Sequence, residues 1–264
     1  MKQTPTLFYD AKGSGQTAVL IHGYPFNSQM WNRVSGLLAE DFRVIVPDLR
    51  GFRKSPPPEG TLTTSMETFA DDLRGLLREI GVNEKVILAG LSMGGYITMQ
   101  FAAKYADSLA GMVLCGTKTT ADMPQMAENR RKQAAGLRDG SLTLAGIAET
   151  MIPKLFAETT QTQHPEIIQE LRNIIIDSEH TNGVAAAALG MAERTDTTDV
   201  LRQLQIPVHV ICGAEDRFSP PDEMRQLARY ARNSTFTEIA GAGHLPPMEQ
   251  PEQFAAAFRR CFGA

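Results

Sequence analysis

Residues 85–105 read KVILAGLSMGGYITMQFAAKY. Lys85 to Ala89 is a short apolar run, the pattern of a parallel strand covered on both faces. Met93 to Tyr105 reads as a helix. Between them stands Gly90-Leu91-Ser92-Met93-Gly94, followed by Gly95. A strand, a glycine-flanked serine and a helix in direct succession predict a tight, strained turn, with small residues where the backbone approaches itself. The serine Oγ is then presented at the C-terminal edge of a sheet, where open α/β folds bind ligands. The helix N-terminus behind it favours developing negative charge. A bare G-x-S-x-G match is modest support. Its setting makes Ser92 the candidate nucleophile.

Outward from this turn the alternation continues. Thr17 to His22, Arg43 to Leu49, Leu109 to Cys115, Pro207 to Cys212 and Ser234 to Ala240 read as further strands. Thr64 to Ile80 carries Met66, Phe69, Leu73, Leu76, Leu77 and Ile80 at helical spacing, and Gly81 stops it. Pro221 to Ala231 and Glu252 to Phe262 are further helix candidates. Thr6 to Tyr9 and Thr17 to His22 are separated by Lys12-Gly13-Ser14-Gly15, which reads as a hairpin turn. The whole predicts an α/β fold with a doubly wound, mostly parallel sheet.

One region breaks the rhythm. From Thr117 to Thr198 the strand signal fades, and helical stretches take over at Glu128 to Leu137, Leu142 to Ile152, Pro165 to Ile176 and Val184 to Glu193. About 80 residues is far too long for one compact connection. The expected organisation is a core of residues 1–116 and 199–264 with a helical cap insertion at 117–198.

A serine nucleophile needs a base, and the chain has five histidines. His244 lies in Gly241-Ala242-Gly243-His244-Leu245-Pro246-Pro247, a turn-forming cluster after the last strand candidate. His209 sits inside a strand and reads as packed. His164 and His180 fall in the helical insertion, and His22 ends an early strand. The orienting acid is expected at Asp216, just past the strand Pro207 to Cys212, with Glu215 and Asp48 as competitors. Asp48 reads as a brace for the turn Asp48-Leu49-Arg50-Gly51. The order Ser, Asp, His is the order this kind of fold uses. Backbone N–H groups of Met93, after the nucleophile, and of Tyr24, in His22-Gly23-Tyr24-Pro25, are the candidate oxyanion donors. Phe218 and Leu245 flank the acid and the histidine and are candidate substrate contacts. Met93, Met123, Met126, Met151 and Met191 surround the region; they can line an adaptable apolar cavity, with core filling the expected role for most of them.

These motifs, in this order, resemble the cap-bearing α/β-hydrolase superfamily along the whole chain. The Gly-Leu-Ser-Met-Gly-Gly turn and the segment Met191-Ala192-Glu193-Arg194 are similar to its enol-lactonase and small-ester carboxylesterase branch. Gly243-His244 with Glu249 and Pro251 also match its signatures. The resemblance implies a cofactor-free, metal-free hydrolase acting on a small or medium ester or lactone. Members with an aspartate nucleophile, the haloalkane dehalogenases and epoxide hydrolases, are disfavoured by Ser92. Two alternatives keep the same triad: a cofactor-free perhydrolase or haloperoxidase, and a ligand sensor with slow turnover. The family often has Gly where Arg53 stands, which leaves the conformation of that loop open.

Composition narrows the partners. The chain has 264 residues, 42% of them hydrophobic, and a formal net charge of −4. Basic residues form no long run, so a nucleic-acid partner is not expected. Three scattered cysteines do not make a disulfide framework. No apolar run approaches the ~20 residues of a membrane span, and residues 1–10 are polar. The expectation is a soluble, cytoplasmic enzyme with a small-molecule substrate and no membrane partner.

Overall fold

The computed structural model describes residues 7–178 and 180–263. Seven strands form one sheet among these residues: β1 (Tyr9–Lys12), β2 (Gln16–Ile21), β3 (Phe42–Pro47), β4 (Val86–Leu91), β5 (Leu109–Cys115), β6 (Val208–Gly213) and β7 (Ser234–Ile239). Their order is β1-β3-β2-β4-β5-β6-β7. All neighbours run parallel except β1, which is antiparallel to β3. Strands β2, β4 and β5 are almost wholly buried, as expected for a sheet covered on both faces.

The hairpin expected at the N-terminus is not formed. Lys12-Gly13-Ser14-Gly15 does reverse the chain, but β2 has parallel partners on both edges, β3 and β4. The strand β1 therefore crosses over to the free edge of β3, pairing Tyr9 with Pro47. Thr6, the expected start of this strand, lies outside the described residues.

Helices α1 (Asn32–Leu38), α2 (Met66–Glu79) and α3 (Met93–Tyr105) precede β5, and α9 (Thr198–Gln203), α10 (Pro221–Ala228), α11 (Pro246–Glu249) and α12 (Pro251–Phe262) lie toward the C-terminal end. The pairs α2–α3 and α1–α12 flank the sheet. In α2 the Ser65 hydroxyl accepts the Thr68 N–H at 3.2 Å as an N-cap, and Met66, Phe69, Leu73, Leu76 and Leu77 are buried. The short elements α1, α9 and α11 carry too few turns to announce themselves by periodicity.

Between β5 and α9 lie five more helices: α4 (Pro124–Asp139), α5 (Leu144–Leu155), α6 (Glu158–Gln163), α7 (Pro165–Ile176) and α8 (Thr181–Ala192). Helix α4 packs along α8, and α5 along α7. The alanines 185–188 of α8 are fully buried. The Thr64 N–H donates to Ala186 O at 3.1 Å, fastening α8 to the segment before α2. No described helix is long and apolar enough to cross a membrane.

The topology locates the site before any side chain is considered. From β2 the chain goes to β3 on one side and then returns to β4 on the other. The carboxyl ends of β2 and β4 therefore flank a switch point, the crevice where ligands bind in open α/β sheets. Ser92 follows β4, and His22-Gly23-Tyr24 follows β2.

Candidate active site

Ser92 sits at φ +54° and ψ −112°, a conformation that L-residues rarely adopt. Its flanking glycines are required by close approach rather than by their own dihedral angles. A Cβ on Gly90 would lie 2.2 Å from Gly94 O, and one on Gly94 would lie 2.3 Å from Ile21 O. Two bonds over-determine the turn: the Ser92 N–H donates to Cys115 O at 2.8 Å, and the Thr117 hydroxyl donates to Ser92 O at 2.8 Å. Strain of this kind persists only when the surroundings enforce it.

Asp216 and His244 come from the loops after β6 and β7. The two residues meet at 2.9 Å, Oδ2 to Nδ1, with both side chains buried. The other carboxylate oxygen accepts the N–H groups of Phe218 at 2.8 Å and Ser219 at 3.0 Å. A carboxylate can only accept, so the imidazole proton belongs on Nδ1 and the Nε2 lone pair is left available. Glu215, the nearest competitor, turns elsewhere: its Oε2 accepts the Glu158 N–H at 3.0 Å at the start of α6.

The histidine loop is anchored by a residue not assigned a role from sequence. Glu249 Oε1 accepts the N–H of Gly243 at 2.8 Å and of Leu245 at 3.2 Å, on either side of His244. Its Oε2 accepts the Ala157 N–H and the Thr160 hydroxyl, both at 2.8 Å. Burial raises the Glu249 carboxyl above its ordinary range, and these bonds oppose the rise. The His244 N–H also donates to Leu155 O at 2.6 Å. His244 therefore hangs between the sheet and the helical segment.

His22 is structural. Its Nδ1–H donates to Gly23 O at 2.9 Å, and its Nε2 accepts the Leu49 N–H at 3.0 Å. Burial lowers its pKa to about 4, so the ring is neutral at pH 7, as this bonding requires. It ties the loop after β2 to the loop after β3. Asp48 braces that second loop: it accepts N–H groups from Ser28 at 2.9 Å and Lys54 at 3.3 Å. His209 packs within β6 against Thr235 Oγ1. His164 pairs with Glu166 at 3.1 Å on the surface.

Ser92 and His244 open into one cavity of about 420 Å³. Tyr24 lines it beside them, its phenol donating to Gln133 Oε1 at 3.2 Å; burial raises the phenol pKa. The Met93 N–H is the first of α3 and has no acceptor within the helix. Met123, Met126, Met151, Met191 and Phe218 supply apolar wall. One expectation fails here. Leu245 is fully buried and does not line the cavity, because its N–H is held by Glu249 at the entry to α11 and its side chain is turned into the core. The Met93 side chain fills the core, the role expected for most of the methionines. The cavity also holds charges that sequence reasoning did not single out: Lys118, Asp122, Arg130 and Arg194. Among the described residues, no cluster of three or more His, Cys, Asp or Glu could hold a metal ion.

Comparison with known proteins agrees with this architecture. A family profile described as alpha/beta hydrolase fold matches residues 18–251. A thermophilic esterase from Thermogutta terrifontis, solved with malate bound, is 47% identical with a TM-score of 0.91, covering 96% of this chain and 92% of that one. The enol-lactonase from Burkholderia xenovorans LB400 shares the fold at 23% identity and a TM-score of 0.87, covering 98% and 96%. A 2-hydroxy-6-oxononadienedioate/2-hydroxy-6-oxononatrienedioate hydrolase of Dechloromonas aromatica is 30% identical, covering 94% of this chain and 87% of its own length.

Proposed function

The chain belongs to the α/β-hydrolase fold family, and from that premise we propose that it is a serine hydrolase cleaving small or medium carboxylic esters or lactones through an acyl-enzyme. One observation carries the reading: His244, oriented by Asp216, shares a cavity with the strained Ser92. The 47% identical esterase supports an ester as the bond cleaved.

In this reading Ser92 Oγ adds to the substrate carbonyl while His244 Nε2 takes its proton. Asp216 stays ionised and stabilises the imidazolium. The N–H groups of Tyr24 and Met93 face the oxyanion. Collapse of the tetrahedral species expels the alcohol, which receives the proton from Nε2. Water then gives a proton to Nε2, adds to the acyl carbon, and releases the carboxylic acid and free Ser92. Residues 117–198 act as a cap on a core of residues 1–116 and 199–264, enclosing the cavity and limiting acyl length.

The test is Ser92→Ala. Its kcat on a short aryl ester is expected to fall by up to ~10⁶-fold, and labelling by a fluorophosphonate to vanish, with the Tm within a few degrees. A variant that labels normally would remove Ser92 from this role.

A further inference from the structure

The cavity wall opposite to expectation is cationic. Four charged residues line the cavity, Lys118, Asp122, Arg130 and Arg194, three positive and one negative. Lys118 reaches outward to Glu223 at 2.9 Å, and both side chains are exposed. The other three form a buried cluster. Asp122 Oδ2 accepts from Arg130 Nε at 2.6 Å, and Asp122 Oδ1 lies 2.5 Å from Arg194 Nη1. The side-chain exposures are 5% for Asp122, 18% for Arg130 and 4% for Arg194. One carboxylate between two guanidiniums leaves one positive charge uncompensated on the wall.

The two arginines are not equivalent. Arg194 is committed: Nη1 also donates to Met191 O at 3.1 Å, Nη2 donates to Thr120 O at 2.9 Å, and its plane lies 4.1 Å over the Tyr96 ring. Its Nε is buried without a partner. Arg130 bonds the cluster through Nε, and its terminal Nη pair has no acceptor among the described protein groups. It lines the same cavity as Tyr24 and Ser92. Arg130, 18% exposed, thus presents an idle donor pair to the cavity. The group that matches a planar donor fork of this kind is a carboxylate, which two parallel N–H···O bonds can hold.

We propose that the Arg130 side of the cavity is a carboxylate subsite, and that the ester cleaved at Ser92 carries a free carboxylate elsewhere in the same molecule, as a hemiester of a dicarboxylic acid does. Asp122 fixes the Arg130 guanidinium from behind, and Arg194 holds Asp122 in place. The methionine side of the cavity takes the apolar chain between the two ends. The substrate assignment rests on the hydrolase reading above. The subsite itself does not.

The experiment uses two ester pairs, each exchanging a terminal methyl for a carboxylate. Monomethyl glutarate against methyl pentanoate places the charge on the acyl part, and 4-acetoxybutanoate against butyl acetate places it on the alcohol. The expected result is a kcat/KM at least about ten-fold higher for the anionic member of one pair, the size of one charge-assisted hydrogen bond. In Arg130→Gln that ratio should shrink by a similar factor, and Arg130→Lys should recover part of it. Preference for the neutral ester in both pairs, or an unchanged ratio in a folded Arg130→Gln, overturns the proposal. Titration calorimetry reads the subsite without turnover. Glutarate should bind the wild-type protein, neutral glutaramide should not, and Arg130→Gln should lose the difference. If no ester is hydrolysed and Ser92 does not label, the hydrolase reading fails, and the glutarate titration still decides the subsite. Absence of glutarate binding to the wild type sinks it.

Discussion

The cavity's floor and its charged wall are held in different ways. The floor is made by the chain leaving β2, β4, β6 and β7, and main-chain groups fix it. Ser92 is pinned through its own N–H and C=O. Asp216 is set by two backbone N–H groups, and the loop around His244 by Glu249. The wall comes from the helical segment and the residues just before it. There, long side chains and charges do the positioning: Asp122 between Arg130 and Arg194, with methionines around them. A floor tied to the sheet holds reacting groups to the tolerance that catalysis needs. A wall of side chains can be rewritten without disturbing that floor. The division explains how one scaffold serves many chemistries, and it predicts that the two regions fail differently when mutated.

The sharpest contrast lies between two adjacent carboxylates. Asp216→Asn is expected to lower kcat by about 10⁴-fold, because an amide can no longer fix the Nδ1–H tautomer. Glu215→Gln removes a charge but keeps an amide oxygen that can accept the Glu158 N–H, so its effect should stay within a few-fold. Equal losses in steady-state kinetics would mean that the acid has been assigned to the wrong residue.

In the wall, the corresponding change should appear as lost stability. Asp122→Asn leaves two guanidiniums facing each other across a neutral amide, with little water to screen them. Breaking a buried ion cluster by removing one partner costs about 3 kcal/mol or more. For a chain of this size that is a Tm lower by roughly 6–12 °C. A Tm within 2 °C of wild type, by calorimetry, would show the cluster to be solvated and the wall less rigid than its geometry implies.

The floor could be read in the sequence because each part is written in one short stretch. A strand, a glycine-flanked serine and a helix are contiguous, and the loops of Asp216 and His244 directly follow strands. The wall could not be read in this way. Arg130 lies on α4 among other polar residues, and nothing near it announces that it faces a cavity. Arg194 lies just past α8, far along the chain, and Asp122 is one more acid in the loop before α4. Their relation exists only after α4 has packed on α8. Leu245 shows the opposite error: adjacency to His244 suggested a contact, but a turn of one residue sends it into the core. The N-terminal hairpin failed for a similar reason. A turn signal fixes where the chain reverses, not which strand edge is vacant.

Acid should loosen the floor. Burial lowers the pKa of His22 to about 4 from the ordinary 6.5, and that of His209 to a similar value. Between those limits the unfolded chain takes up protons that the folded chain refuses. The stability contributed by the neutral rings is therefore whole above pH 6.5 and is lost as the pH falls toward 4. Urea midpoints taken at pH 7.5, 6.0 and 5.0 should decline in that order. A midpoint flat across this range would contradict burial of the two rings in their neutral form.

The smallest effect is expected where floor and wall meet. Arg53 occupies the left-handed region at φ +43°, where an L side chain is strained. Its guanidinium lies 3.5 Å from Asp48 in the floor and 3.5 Å from Asp177 beyond α7. Two opposing quantities are thus stored in one residue: backbone strain of about 1 kcal/mol and a pair of ionic contacts. Substitution by Ala removes the contacts and keeps the strain; substitution by Gly removes both. Asp48 retains its two N–H donors in either variant, so neither should unfold the loop. Arg53→Ala should therefore be less stable than wild type, and Arg53→Gly should lie above Arg53→Ala by up to about 1 kcal/mol, reduced by the greater freedom of glycine in the unfolded chain. Because their ionic losses are identical, the difference between the two variants reads the strain net of the freedom glycine adds to the unfolded chain. If the Ala variant proves the more stable, the strain at this position is smaller than the entropy that glycine adds to the unfolded chain, and the left-handed conformation is not a store of about 1 kcal/mol.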